Sequence, residues 1–92
     1  RLPAIEFEAV LAHEYLHVWL YQNNIELPLS QIEGFCNLAS AYIYEHNGSK
    51  FSQIHLDSMD ADSDPDYGDG YRKMKLDLEK YGWKVLLQTL QQ

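Results

Sequence analysis

The pattern of hydrophobic and polar positions along the chain predicts a mainly helical fold built from four segments. The first runs from about Pro3 to Asn23, and Pro3 suits a first helical turn. Its apolar residues lie almost all round the helix, which is typical of a buried helix. Three ionisable side chains, His13, Glu14 and His17, interrupt the apolar pattern and call for a functional explanation.

A second helix is predicted from Ser30 to about His46, with Asn47-Gly48 marking its end. On a helical wheel, one face of this helix is polar and consists of Glu33, Asn37, Ser40 and Tyr44. Gly34 lies inside the helix at a cost of about 1 kcal/mol relative to alanine. A glycine in such a position often marks the close approach of another element.

The second half of the chain is predicted to be helical at both ends of an acidic loop. Ser49 to Met59 favours a short third helix, and Asp60 to Gly70 is predicted to be a loop because of its Asp, Gly and Pro content. The last helical segment begins near Tyr71, breaks at Tyr81-Gly82 and resumes through Trp83 to Leu90. No strand is predicted.

Composition indicates one small domain, spanning residues 1–92, with enough apolar residues (46%) for a core. The net charge of −7 argues against a nucleic-acid partner, because such binding depends on basic clusters. No apolar run approaches the length of a membrane span, so no membrane partner is expected. The single cysteine, Cys36, favours a reducing compartment and a cytoplasmic location. Because the chain opens on Arg1 rather than Met, we expect a piece of a longer protein.

The sequence His13-Glu14-Tyr15-Leu16-His17 matches the H-E-x-x-H pattern of zinc peptidases. Histidines four residues apart project from the same face of a helix, so both imidazoles can bind one ion at about 2.0–2.1 Å. Glu14 lies about 100° round the helix from His13, where it can contact a water bound to that ion. The pattern predicts one Zn²⁺ ion and hydrolase chemistry; the alternative is a pair of structural histidines on a packed helix.

A catalytic zinc site needs a third protein ligand, and Glu33 is the candidate. The alternative for this residue is a capping box, Ser30-x-x-Glu33, in which the glutamate closes the start of its own helix. The polar face of the second helix favours a side chain directed at the first helix. Asn37, one turn on, is then placed to hydrogen-bond a ligand histidine.

Three ordered blocks resemble a known family: Leu11–Leu20 (LAHEYLHVWL), Ile32–Ala39 (IEGFCNLA) and Tyr67–Arg72 (YGDGYR), followed by Tyr81-Gly82. They are similar to the C-terminal peptidase domain of the ubiquitin-activated LIM-domain peptidases that limit plant organ size, and of their bacterial relatives. The resemblance implies a gluzincin-like zinc metalloprotease with a zincin-like helical core. It also implies His13, His17 and Glu33 as zinc ligands and Glu14 as the catalytic base.

The chain departs from that family in ways that limit what the resemblance implies. Ile32 stands where plant members usually have a second glutamate, and one cysteine cannot build a LIM zinc site. Ubiquitin-dependent activation is therefore not expected here. Zincins usually bind substrate along a small sheet that precedes the metal helix. We expect an upstream domain or a partner chain to complete the cleft for a protein or peptide substrate.

The donor that would stabilise the oxyanion is predicted to be Tyr67, because it lies in a glycine-flanked block that can fold over the cleft. Weaker candidates are Tyr71, Arg72 and His55, and ordinary packing is the alternative for both tyrosines. Cys36 is expected to be inert packing. The rival to a peptidase is a non-catalytic helical interaction module with a structural or vestigial metal site.

Overall fold

The computed structural model describes residues 4–92, which form four α-helices and one π-helical turn. The helices are α1 (Ala4–Gln22), α2 (Leu29–Asn47), α3 (Lys50–Ala61) and α4 (Gly70–Leu90), and the π-helical turn (Pro65–Asp69) leads directly into α4. Within residues 4–92 there is no strand, so the mainly α prediction is confirmed. Pro3, the predicted first helical residue, lies outside the described part. No helix in this range is long and apolar enough to cross a membrane.

Helix α2 is the centre of the fold, because every other element packs against it. Phe35 and Cys36, near the middle of α2, are fully buried. The core around them is contributed by α1, α2 and α4 and consists of Leu20, Phe35, Cys36, Leu38, Ala41, Tyr71, Met74 and Leu86. One face of α2 therefore packs against α1 and another packs against α4, so α2 fixes the positions of both helices.

The ends of α2 and the start of α3 follow local backbone chemistry. Gly48 terminates α2 in the left-handed region (φ 68°), and its N–H donates to the carbonyl of Tyr44. Ser49 then caps α3 by accepting a hydrogen bond from the N–H of Ser52 at 3.0 Å. The predicted helix end at Asn47-Gly48 and the predicted third helix are both confirmed.

Helices α2 and α4 approach each other closely at two glycines. A Cβ atom on Gly34 would overlap the backbone carbonyl of Gly70, and a Cβ on Gly70 would overlap the carbonyl of Ser30. Only glycine at both positions permits this approach. The expectation that Gly34 marks the approach of another element is confirmed, and the start of α4 lies beside the Glu33 turn of α2.

The predicted acidic loop from Asp60 to Gly70 is partly helical, which corrects the prediction. Helix α3 continues to Ala61, and the π-helical turn occupies most of the remainder. The carboxylate of Asp64 accepts the N–H groups of Asp66 and Tyr67 at the start of this turn. Arg72 donates to the carbonyls at the end of α3, which ties the turn down. Asp64, one of the aspartates that suggested a loop, therefore caps this turn.

The predicted break near the end of the chain is confirmed at Gly82. This residue has φ 82° and ψ 168°, a backbone conformation that glycine adopts readily and other residues rarely do. The kink redirects the end of α4, so that Leu86 becomes buried and Trp83 packs against the core.

Helix α1 is not a buried helix, which corrects the expectation drawn from its apolar pattern. It packs principally on α2 and buries only Ala9 and Leu20. Six large apolar side chains form an exposed outer face of α1: Phe7, Val10, Leu11, Tyr15, Val18 and Tyr21. One neighbouring helix covers only one side of another, so an apolar pattern all round does not ensure burial. Burial of α1 as a whole therefore does not indicate a metal, and only the local geometry around His13 and His17 can.

Replacing Gly34 by alanine tests the close approach of α2 and α4. We expect Gly34→Ala to lower the free energy of unfolding by up to about 2 kcal/mol. The overpacking cost of about 1–3 kcal/mol falls on rigid backbone and exceeds the roughly 1 kcal/mol that alanine gains as a helix former. Urea unfolding measures this change in the free energy of unfolding. Glu45→Ala, at an exposed position of α2, is the control. Equal or greater stability in Gly34→Ala would contradict the packing.

Candidate metal centre

Helices α1 and α2 form an antiparallel hairpin whose inner faces are held in register by two contacts. The hydroxyl of Ser40 donates a buried hydrogen bond of 2.9 Å to the carbonyl of Ala9. Towards the connecting loop, the rings of Trp19 and Phe35 pack with their centroids 5.7 Å apart. His13 and His17 lie between these two contacts on α1, and Glu33 lies two residues before Phe35 on α2, so the packing of the hairpin sets their separation.

The side chains of His13, His17 and Glu33 converge on one point. The Nε2 atoms of the two histidines are 3.1 Å apart. The Oε2 atom of Glu33 lies 3.0 Å from Nε2 of His17 and 3.7 Å from Nε2 of His13. With metal–ligand distances of about 2.0–2.1 Å, the ligand atoms of a tetrahedral zinc site lie roughly 3.3–3.4 Å from one another. The three observed separations bracket this value, so the three donors form one face of such a tetrahedron.

The environment of Glu33 favours a metal more strongly than the distances do. The residue is 8% exposed, and its Oε2 atom is buried without a hydrogen-bond partner. Nε2 of His17 is 3.0 Å away, in range for an ion pair when the imidazole is protonated, although the two atoms do not form a hydrogen bond. Among residues 4–92, no lysine or arginine pairs with this carboxylate. A buried carboxylate is normally paired or bound to a metal, and a divalent cation at the convergence point would satisfy it.

The capping alternative for Glu33 is wrong. Helix α2 begins at Leu29, its N-cap is Pro28, and no side chain caps it. Ser30 therefore lies inside the helix rather than at the cap, and the capping box is not formed. The carboxylate of Glu33 faces the two histidines instead. The predicted polar face of α2 does meet α1, as the hydrogen bond from Ser40 also shows.

Cys36 is a fourth candidate donor beside these three residues, and reasoning from the sequence missed it. Its ligand atom and those of His13, His17 and Glu33 all lie within 4.8 Å of one another. Burial, followed by the charges of Glu33 and Glu14, raises the pKa of the Cys36 thiol to about 12. The available signal was spacing, because Glu33 and Cys36 are three residues apart and share a helix face. Cys36 is buried as expected, but beside the candidate metal ligands.

The centre opens to solvent on the side of α1. The side chain of His17 is 34% exposed, whereas that of Glu33 is 11% exposed. Glu14 is exposed on α1, and its charge acts on the thiol of Cys36. The carboxylate of Glu14 therefore belongs to the same neighbourhood without being one of the convergent donors. The predicted hydrogen bond from Asn37 to a ligand histidine is not formed in the described part of the chain.

The other sequence candidates lie elsewhere or have structural partners. Tyr67 is in the π-helical turn, which packs on α2, and its side chain is 46% exposed. Tyr71 is buried in the core, and burial raises its pKa to about 12. Arg72 is bound to backbone carbonyls and to Asp69. His55 stacks on Tyr44 with ring centroids 4.8 Å apart. Packing therefore accounts for Tyr71, and fold stabilisation accounts for Arg72.

Comparison with known proteins adds no family. No protein-family model matches the chain, and no match was found among curated proteins or solved structures. The resemblance to the plant peptidase domain stays a prediction based on its sequence blocks. Two of those blocks meet in space, since Gly34 contacts Gly70. The class that fold and site define is a helical domain with a candidate His₂Glu metal centre beside one cysteine.

Zinc is expected to stabilise the chain through this centre. Metal that binds only the folded state stabilises it by about 2.7 kcal/mol at a hundredfold excess over the dissociation constant. Thermal unfolding with and without zinc should show this gain in the wild type, and His17→Ala should lose it because one ligand is missing. His46→Ala, at an exposed histidine outside the centre, is the matched control and should keep the gain. An equal response to zinc in His17→Ala and the wild type would contradict the assignment.

Proposed function

We propose that the chain is the catalytic core of a zinc-dependent peptidase, gluzincin-like in its ligand set. The observation that carries the proposal is the buried carboxylate oxygen of Glu33, which accepts no hydrogen bond and faces two histidines that are four residues apart. The residues that would hold zinc are His13, His17 and Glu33. This donor set, two imidazoles and one carboxylate, is that of catalytic zinc in peptidases. The sequence resemblance to the plant peptidase domain supports the same assignment.

The residues of the chain then have distinct roles in peptide hydrolysis. Zinc, when bound, lowers the pKa of a bound water to about 7 and polarises the scissile carbonyl. Glu14 follows the first ligand directly, and its exposed carboxylate is free to accept a proton from the attacking water. It then donates that proton to the leaving amine. Exposure suits this role, because the base must reach a substrate that arrives from solvent.

The outer face of α1 supplies apolar surface next to the proposed base. Val10, Leu11 and Val18 lie three or four residues from Glu14, which places them one helical turn on either side of it. An extended peptide laid across this face would contact these side chains while its carbonyl approached the centre. Within residues 4–92 no strand is available to pair with such a peptide. The proposal therefore includes an upstream domain or a partner chain that completes the cleft.

Tyr67 is the proposed donor to the tetrahedral oxyanion. Its segment precedes Gly70, which contacts Gly34 beside the ligand Glu33. The half-exposed phenol makes no hydrogen bond within the described residues, so its O–H is available to a substrate. This role rests on the position of its segment next to the ligand helix.

An alternative function is favoured by one observation. The outer face of α1 exposes six large apolar side chains, more than a solitary helical domain needs. A non-catalytic interaction module would use this face to bind a partner, and its metal site would be structural or vestigial. Under the peptidase proposal, the same face would bind substrate or an additional domain. Only a measurement of peptidase activity therefore distinguishes the peptidase from the interaction module.

Glu14→Gln separates the peptidase from the interaction module. Removing the general base should lower peptide cleavage by about 10²–10⁴-fold while zinc content stays unchanged, because glutamine keeps the shape but cannot accept the proton. The measurement is cleavage of an unstructured protein substrate together with metal analysis of the purified protein. Glu8→Gln, at another exposed glutamate of α1, is the matched control. Undiminished cleavage by Glu14→Gln would overturn the mechanism.

Tyr67→Phe tests the oxyanion donor. Loss of one such donor costs about 10²–10³-fold in kcat, and the phenyl ring should leave stability and zinc content unchanged. Tyr21→Phe provides the control, since Tyr21 is 84% exposed and lies outside the metal centre. If the kcat of Tyr67→Phe equals that of the Tyr21 variant, another residue serves as the donor.

A further inference from the structure

Four protein donors, rather than three, converge at the metal centre. The fourth is the sulfur of Cys36, which lies within 4.8 Å of the ligand atoms of His13, His17 and Glu33. We propose that the thiolate of Cys36 is a metal ligand, so that the centre is closed by two nitrogens, one oxygen and one sulfur when no substrate is present. The inference rests on the proposed metal centre and deepens it, because it assigns the position where a catalytic site would hold water.

The two helices present their donors as two matched pairs. His13 and His17 are one turn apart on α1, and Glu33 and Cys36 are one turn apart on α2. In a tetrahedral zinc site, a sulfur at about 2.3 Å and a nitrogen at about 2.0–2.1 Å from the metal lie roughly 3.6 Å apart. The sulfur of Cys36 lies within 4.8 Å of the other ligand atoms. This separation exceeds the tetrahedral spacing by at most about 1.2 Å, a difference that rotation of the side chains can remove.

A second observation, independent of the cysteine, points to a ligand at this position. Glu33 is 8% exposed as a residue and 11% in its side chain, and its fully buried Oε2 atom faces the cluster without a hydrogen-bond partner. Cys36 is fully buried on the same helix face, so its sulfur has no access to bulk water. A cation bound by both groups would neutralise the carboxylate and stabilise the thiolate, with the thiol proton released to solvent.

Thiolate ligation has consequences for metal choice and for activity. A sulfur donor favours zinc and cobalt over magnesium and calcium, which prefer oxygen ligands. Four protein ligands are typical of closed, structural zinc sites, whereas catalytic sites keep one position open. Peptide hydrolysis would then require the thiolate to leave or the metal to accept a fifth ligand. Cys36 would act as a brake on the proposed peptidase.

Cobalt substitution tests the ligand without depending on activity. The full chain loaded with Co²⁺ should show visible ligand-field bands together with an intense near-ultraviolet band from sulfur-to-cobalt charge transfer. Because Cys36 is the only cysteine of the chain, that band has one source. Cys36→Ser should lose the near-ultraviolet band and keep the visible bands, and His46→Ala should keep both.

The outcomes distinguish this inference from the proposed function. Cobalt binding by the wild type without the near-ultraviolet band would overturn ligation by Cys36 and leave the His₂Glu centre standing. Failure to bind cobalt or zinc at all would overturn both proposals. X-ray absorption at the zinc edge of the wild type needs no variant, so it still decides if Cys36→Ser does not fold. A sulfur neighbour at about 2.3 Å supports the inference, and a shell of nitrogen and oxygen alone refutes it.

Discussion

The rest of the site depends on one constraint, the burial of the Glu33 carboxylate between two helices without a lysine or arginine of the described chain to balance it. A buried charge that lacks hydrogen bonds opposes folding unless a metal or a counter-ion is present. The hydrogen bond from Ser40 and the packing of Trp19 on Phe35 hold α1 against α2 on both sides of the two histidines that this carboxylate faces. The hairpin thus keeps its donors close together, within 3.7 Å of one another for His13, His17 and Glu33, which is the arrangement that a bound metal ion would stabilise.

The central position of α2 links the candidate metal centre to the remainder of the fold. One face of the helix carries Glu33 and Cys36, and Gly34 between them contacts the start of α4. The contact also positions the π-helical turn that carries Tyr67. A domain of this size buries few side chains, and here one helix carries both core residues and the candidate ligands Glu33 and Cys36. It also means that metal binding and folding stability are expected to be coupled.

Much of this arrangement is predictable from the sequence because its signals are local. Helix ends at Gly48 and Gly82 depend on the left-handed backbone of glycine, and the pairing of His13 with His17 depends only on helix periodicity. Two features depend on which elements become neighbours: the exposure of the outer face of α1 and the capping role of Asp64. The periodicity of the sequence does not predict such tertiary contacts. Cys36 was missed for the same reason: its spacing from Glu33 is visible, but its contact with α1 is tertiary.

The most direct test of the metal centre is a crystal structure of the zinc-loaded chain with anomalous scattering measured on both sides of the zinc edge. The account predicts one strong anomalous peak about 2.0–2.2 Å from the Nε2 atoms of His13 and His17 and from a carboxylate oxygen of Glu33. A peak elsewhere would contradict the account. So would a carboxylate of Glu33 that pairs with another protein group while the histidines remain free of metal.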